Sequence, residues 1–328
     1  MSYLLIKKSN MRYVKFIAFL IACVLFVNGY AQKATPKTTP KTTQKTNAND
    51  PNKKALNKYS KEKMFTPAPA STQKLTPNQI QSKEFFDEGS KKGKAGNYNG
   101  AIEDFTKSLI LEKNAGTYLK RGYAYQMIAN YTAAIDDANE ALKLQPSLTR
   151  AYFVRGISHY GKGELKDART DLSTFIAKDR TNAIAFNFMA ALCYMDQDYK
   201  NALANYDEVV RLDPKYPDIY TNRGMMRHTL QDYKGAIQDY NEALKLNPNN
   251  PSAYNNRGGA YMMLKDFQSA LADFDKAIAI NDKYADAYDN RGRVKHTLGD
   301  VEGACADWQS AYDNGLEASK ELIIKYCK

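Results

Sequence analysis

The 328-residue sequence predicts an all-α fold: a solenoid of seven helix-turn-helix units over residues 82–315, closed by a capping helix at 316–328. Three regularities lead to it. Gly122, Gly156, Ala190, Gly224, Gly258 and Gly292 stand 34 residues apart, and Gly89 lies 33 before Gly122. Twelve residues after each comes alanine: Ala101, Ala134, Ala168, Ala202, Ala236, Ala270 and Ala304. Four before each comes a ring: Phe85, Tyr118, Tyr152, Phe186, Tyr220, Tyr254 and Tyr288. A fixed period of this length marks stacked repeats, in which a unit buries its apolar face only against its neighbours.

The chain opens on a different kind of segment. Lys7, Lys8, Arg12 and Lys15 precede an apolar run from Phe16 to Val27, which ends in Gly29-Tyr30-Ala31. A basic start, a short apolar run and small residues before a cut at Gln32 describe a secretory signal peptide over 1–31. Leu20-Ile21-Ala22-Cys23 also resembles a lipobox, but Cys23 sits inside the apolar run. Lipidation at Cys23 and an uncleaved anchor stay open as the lesser alternatives.

Residues 32–81 are rich in Lys, Thr, Pro and Asn and hold 10 lysines against Asp50 and Glu62. They carry too little apolar surface to offset the entropy of ordering and read as a disordered tether. Its r.m.s. reach is about 40 Å. Two roles are open for it: a plain solvated spacer, or an electrostatic contact with peptidoglycan or a membrane. The chain's net charge of +11 lies in these first two segments, because residues 82–328 hold 33 basic and 34 acidic residues. A basic chain invites a nucleic-acid reading, but the repeat region has no excess of positive charge, so no nucleic acid is expected.

Within a unit the recurring glycine is numbered position 8. Small residues at 8 and 20 let two helices approach closely. Position 27 (Ser108, Ala141, Phe175, Val209, Ala243, Ala277, Ala311) serves the approach of the next unit. The ring at 4 and the bulky residue at 24 (Phe105, Leu172, Tyr206, Tyr240, Phe274, Trp308) are expected to fill the space between. Pro146, Pro214 and Pro248 are expected to end second helices, since the residue before proline avoids helical geometry. Repeat three, with Leu172, Phe175 and Arg180, is expected to pack more loosely or bend the array. Leu316 to Lys328 reads as one amphipathic helix with Leu316, Ala318, Leu322, Ile323 and Tyr326 apolar, covering the end of repeat seven.

These positions resemble the tetratricopeptide repeat, in seven copies over three quarters of the chain. The resemblance implies a right-handed superhelical solenoid whose first helices line a concave groove through positions 2, 5, 6, 9, 12 and 13. At position 6 the last three repeats carry Asn222, Asn256 and Asn290, and Asn187 and Asn255 stand at position 5. Asparagine offers a donor and an acceptor, which matches an extended peptide backbone. The run resembles the asparagine ladder of the tetratricopeptide arm of a glycosyltransferase; only the peptide-holding role carries over. Bland filler is the alternative reading. Side-chain anchors for a peptide are Leu119, Tyr123, Phe153, Ile157, Tyr160 and Tyr194 in an apolar half, and His228, Arg293 and His296 in a polar half. The two-carboxylate clamp of the family is absent, because Asn222 is followed in the next unit by Ser252 and Asn256, and Asn256 by Asp286 and Asn290.

Position 7 is arginine in five units (Arg121, Arg155, Arg223, Arg257, Arg291), and position 23 of the same five is aspartate (Asp137, Asp171, Asp239, Asp273, Asp307). Repeat four has Met189 and Asn205 instead. Their joint loss points to structural pairs between the two helices of a unit; a phosphate- or carboxylate-binding column is the alternative.

Cys305 and Cys327 lie 10 and 12 residues either side of Gly315, so a hairpin brings them level for a disulfide that staples the cap, with two separate thiols as the alternative. Cys193 reads as a small buried hydrophobe. His159, His228 and His296 fall in repeats three, five and seven, too far apart to share a metal. No nucleophile–base pair, phosphate loop or carboxylate set stands outside the repeat logic, so neither enzyme activity, cofactor nor metal is expected. The expectation is an exported scaffold or adaptor that binds an extended peptide or partner protein, periplasmic, outer-membrane-associated or secreted in a Gram-negative-type bacterium. A structural envelope component tethered through 32–81 is the alternative, and self-assembly of arrays a third reading.

Overall fold

The computed structural model describes Met64, residues 75–216 and residues 218–327. The expected signal peptide, Cys23 and most of the expected tether lie outside the described residues. Fifteen helices are described. The first helices of the seven units are α1 (Pro77–Ala95), α3 (Ala115–Met127), α5 (Thr149–Lys162), α7 (Ala183–Met195), α9 (Ile219–Thr229), α11 (Pro251–Met263) and α13 (Ala285–Thr297). Their partners are α2 (Tyr98–Leu111), α4 (Tyr131–Leu144), α6 (Leu165–Lys178), α8 (Tyr199–Leu212), α10 (Tyr233–Leu246), α12 (Phe267–Ile280) and α14 (Val301–Asp313), and α15 (Ser319–Tyr326) follows the last unit. Each helix packs on the next along the chain, and each unit on the next.

The tether does not extend to residue 81. Thr76 caps α1, its hydroxyl accepting from Gln79 N while the Gln79 side chain accepts from Thr76 N. With Pro77 at the first helical position, this capping box starts the helix five residues earlier than the repeat pattern implies.

The turn within each unit follows one rule. Position 15 is left-handed in all seven: Gly96, Ala129, Gly163, Gln197, Gln231, Lys265 and Gly299 have φ between 61° and 90°. The next residue then donates back to the first helix, as in Asn130 N to Tyr125 O at 2.9 Å and Asp232 N to Arg227 O at 2.8 Å. This closes the helix with a Schellman-type bond. The same next residue also caps the second helix: the side chains of Asn97, Asn130, Asp198, Asp232, Asp266 and Asp300 accept from the backbone three residues on.

Close approach at position 8 is real. A Cβ on Gly224 would stand 2.7 Å from the Tyr240 ring, and one on Gly258 2.7 Å from Phe274. The alanines at position 20 are fully buried in every unit. Proline, by contrast, is not what ends the second helices. α6 and α12 stop at the same place as α4, α8 and α10, with Asp179 and Asn281 extended although no proline follows. The joint between units sets the stop, and proline fits it where present.

The rings at position 4 do not fill the core between helices, Phe186 excepted; the other six are half-buried. Five lie under the arginine of their own unit, with the guanidinium carbon 5.4–5.6 Å from the centroids of Tyr118, Tyr152, Tyr220, Tyr254 and Tyr288. Repeat three is not loose inside: Leu172 and Phe175 are buried, and Phe175 packs on Phe153 at 4.9 Å. Its joint to repeat four, α6 against α7, is the most sparsely packed between units.

The capping helix is shorter than residues 316–328. Gly315, at φ 98°, ends α14, and Leu316–Ala318 form a turn before α15. Ala318 is exposed and Ile324 points to solvent, while Leu322, Ile323 and Tyr326 are half-buried. None of the described helices is long and apolar enough to cross a membrane.

Candidate functional site

The arginine column is built into the frame. In each of the five units both carboxylate oxygens of the position-23 aspartate accept from the arginine Nε and Nη2, at 2.6–3.2 Å. The remaining Nη1 donates backward across the joint to position 25 of the preceding unit. Its acceptors are Thr106 (3.0 Å), Asn139 (2.7 Å), Asp207 (3.0 Å), Asn241 (2.6 Å) and Asp275 (2.6 Å). One guanidinium thus clasps two units, using its planar fork for the aspartate and its free corner for the neighbour. The aspartates are buried. Burial pushes the Asp137 and Asp239 carboxyls up despite the pairing, which lowers them. With every arginine so engaged, the column offers no phosphate site.

Repeat four has no clasp. Met189 is buried, and a different arginine reaches over the joint: Arg169 of α6 pairs with Asp196 and passes Cys193 Sγ at 3.7 Å. Cys193 is a free buried thiol.

The face of the first helices turned away from the second helices carries the candidate binding residues. Asn222, Asn256 and Asn290 are half-buried there, on α9, α11 and α13. Position 5 does not belong to this face. Phe153, Asn187 and Asn255 are buried, as are Leu119, Thr221 and Asp289 at the same position, because position 5 turns toward the first helix of the next unit. Asn255 shows how: it accepts from Asn290 Nδ2 of the next unit at 3.0 Å and donates to Asn256 Oδ1 at 3.4 Å. The buried Asn255 orients two members of the column. The Asn222 side chain and the Asn256 Nδ2 hydrogen-bond no other described residue.

Of the other anchors, Tyr123 and Ile157 are buried. Tyr160 and Tyr194 are half-buried, Tyr160 edge-on to Phe188 at 5.0 Å and Tyr194 5.8 Å from Tyr199. His228 is half-buried beside Tyr233 at 5.1 Å, and burial lowers its pKa. His296 packs against the cap, 5.6 Å from Trp308 and 4.3 Å from Tyr326. Arg293 is exposed and held by Asp289 at 2.6 Å. Missing from the sequence-based set are the methionines of the same face, Met225 and Met262 half-buried and Met263 exposed. Met225 and Met262 stand at positions 9 and 12, as Arg293 and His228 do, and Met263 stands at position 13. Soft, unbranched side chains there adapt to varied ligands.

The cap is tied down at three points. Cys305 and Cys327 form a disulfide with Cα atoms 5.7 Å apart, Ser319 Oγ donates to the buried Asp289 Oδ1 at 2.8 Å, and Tyr326 packs on Trp308 at 5.7 Å. Asp289 is a position-5 residue, so α15 stands where the first helix of an eighth unit would. Elsewhere, His159, Glu164 and Asp167 bring ligand-type atoms within 4.8 Å of one another. Glu164 is already engaged by His159 and Lys162, each at 2.6 Å.

Comparison with known proteins agrees with this architecture. Models of the TPR repeat match residues 190–231 and 225–265, and tetratricopeptide-repeat models match 119–183 and 251–284. Among curated proteins, the chain is 30% identical to heat shock protein STI1 of Saccharomyces cerevisiae over 108 residues, 32% of this chain and 18% of that protein. It is 35% identical to the small glutamine-rich tetratricopeptide repeat-containing protein 2 of the same yeast over 122 residues, 37% of this chain and 33% of that protein. The chain thus spans at most a third of the length of these two relatives. Among solved structures, the C-terminal part of a TPR repeat-containing protein from Cytophaga hutchinsonii gives a TM-score of 0.59 at 20% identity, covering 74% of this chain and 99% of that one. YrrB, described as a TPR protein with an unusual peptide-binding site, gives 0.53 at 22% identity, covering 57% and 96%.

Proposed function

The chain belongs to the tetratricopeptide-repeat family, and on that premise we propose that it is a non-enzymatic scaffold holding an extended segment of a partner protein. The observation that carries the proposal is the column of half-buried amides at Asn222, Asn256 and Asn290, flanked by methionines. Amides spaced one per repeat meet the N–H and C=O groups of an extended backbone. At about 0.5–1.5 kcal/mol net per hydrogen bond they supply register rather than full affinity. Met225, Met262 and Met263 supply the apolar contact. The site therefore lies on repeats five to seven rather than along the whole face.

Export is supported by the signal-like residues 1–31 and by the pairing of Cys305 with Cys327, a bond that persists in oxidising compartments. The place is the periplasm, the outer membrane or the exterior of a Gram-negative-type cell. The test is recovery of partners from envelope extract on the full chain beside an Asn222→Ala, Asn256→Ala, Asn290→Ala variant. A protein held by the native chain and lost by the variant supports the reading; equal recovery overturns it. The 10 lysines of residues 32–81 favour a second reading, an envelope component anchored through that segment. Deleting 32–74 then removes the protein from its location, whereas a scaffold keeps its partner.

A further inference from the structure

The face of the first helices is not open along its whole length. Met127 and Met263 occupy the same position, 13, in repeats two and six, yet Met127 is 4% exposed and Met263 49%. Position 9 shows the same contrast. Tyr123 and Ile157, in repeats two and three, are buried, whereas Met225 is half-buried and Arg293 exposed in repeats five and seven. Packing between successive first helices buries position 5 in repeats two to seven alike, so the repeat itself does not produce this difference. Repeats two and three carry an additional cover.

A second observation names it. Met64 lies outside the array, in the same compact unit, and is 5% exposed. A methionine that deeply buried needs an apolar surface to enter, and Tyr123, Met127 and Ile157 provide one. Ten residues separate Met64 from Leu75, enough to span up to about 36 Å. Packed helices stand about 10 Å apart, so Met64 can reach the face of repeats two and three from the start of α1.

We propose that the first-helix face of repeats two and three is a docking site for this chain's own N-terminal segment, anchored by Met64. A partner then meets the open part of the face at repeats five to seven rather than at repeats two and three. The inference stands whether or not a partner binds the asparagine column.

The test places a benzophenone-bearing residue at position 64 of the full chain, irradiates it, and maps the adducts by mass spectrometry. Intrachain adducts within residues 119–127 or 153–161 are expected. Adducts on α9, α11, α13 or the second helices, adducts to a second copy, or no adduct overturn the proposal. A Met64→Asp full chain gives an independent readout by hydrogen exchange: α3 and α5 amides exchange about tenfold faster, with α11 unchanged. Unchanged α3, or equal acceleration in all repeats, overturns it.

Discussion

The joint between repeats three and four differs from the other five. Elsewhere an arginine at position 7 grips the buried aspartate of its own unit and reaches back to the unit before; at this joint Met189 and Asn205 stand in their places. The replacement is a half-exposed pair from the other direction, Arg169 with Asp196. The bare joint is also the most sparsely packed. Arginine and aspartate thus act as one structural unit across the two helices. A buried carboxylate without a cation is worse than none: repeat four lacks both partners, and in repeat one the buried Asp104, with no arginine at position 7, takes Lys92 at 2.6 Å instead.

The largest expected effect turns a clasped joint into a half-bare one. Arg257→Met leaves Asp273 buried and unpaired and should cost about 3–5 kcal/mol in urea unfolding. Adding Asp273→Asn reproduces the pair found in repeat four and should recover most of that loss. A double variant no better than the single one breaks the comparison. Next comes the covalent joint at the end of the array. Removing the disulfide with Cys305→Ser and Cys327→Ser should cost about 3 kcal/mol on the chain-entropy estimate for its 22-residue separation. Hydrogen exchange should show the loss confined to α13, α14 and α15.

A smaller effect is expected at Lys120, buried at the joint of repeats one and two, where its ammonium bonds Ser90 Oγ at 3.0 Å and lies 4.1 Å from the Phe86 centroid. Burial pulls its pKa down to about 8. The unfolded chain then holds this proton more tightly than the folded one, so the charge penalises the fold below pH 8 and the penalty fades as pH rises from about 8 to 10.5. Lys120→Met should be more stable than the native chain by about 1–2 kcal/mol at pH 7, with the gap closing toward pH 10. A pH-independent gap means that Lys120 acts through packing alone. The smallest effect tests the turn. Gln231 is left-handed where Gly163 is glycine, and Gln231→Gly should gain about 0.5–1 kcal/mol.

Much of the frame was legible in the sequence because a repeat writes each structural demand seven times. The close approach at Gly224 and Gly258, the buried alanines and the matched loss of arginine and aspartate in repeat four were all visible as columns. The left-handed position 15 was not, since Ala129, Gln197, Gln231 and Lys265 hide it among residues that rarely adopt that geometry. The candidate site was read less well. Period alone placed positions 5 and 6 on one face, yet Asn255 is buried in a joint and Asn256 is half-buried on the face beside it.

The helices, their pairing within units and the residues that cross-link them are written in the sequence, because those contacts are local and repeat at fixed spacing. Which parts of the shared face stay open depends on the assembled fold. It gave each arginine its second acceptor in the preceding unit, seated α15 where an eighth unit would begin, and buried Met127 while leaving Met263 exposed. Identical residues at identical positions differ there because burial depends on what packs against a surface. That is a property of distant parts of the chain, which no local period records.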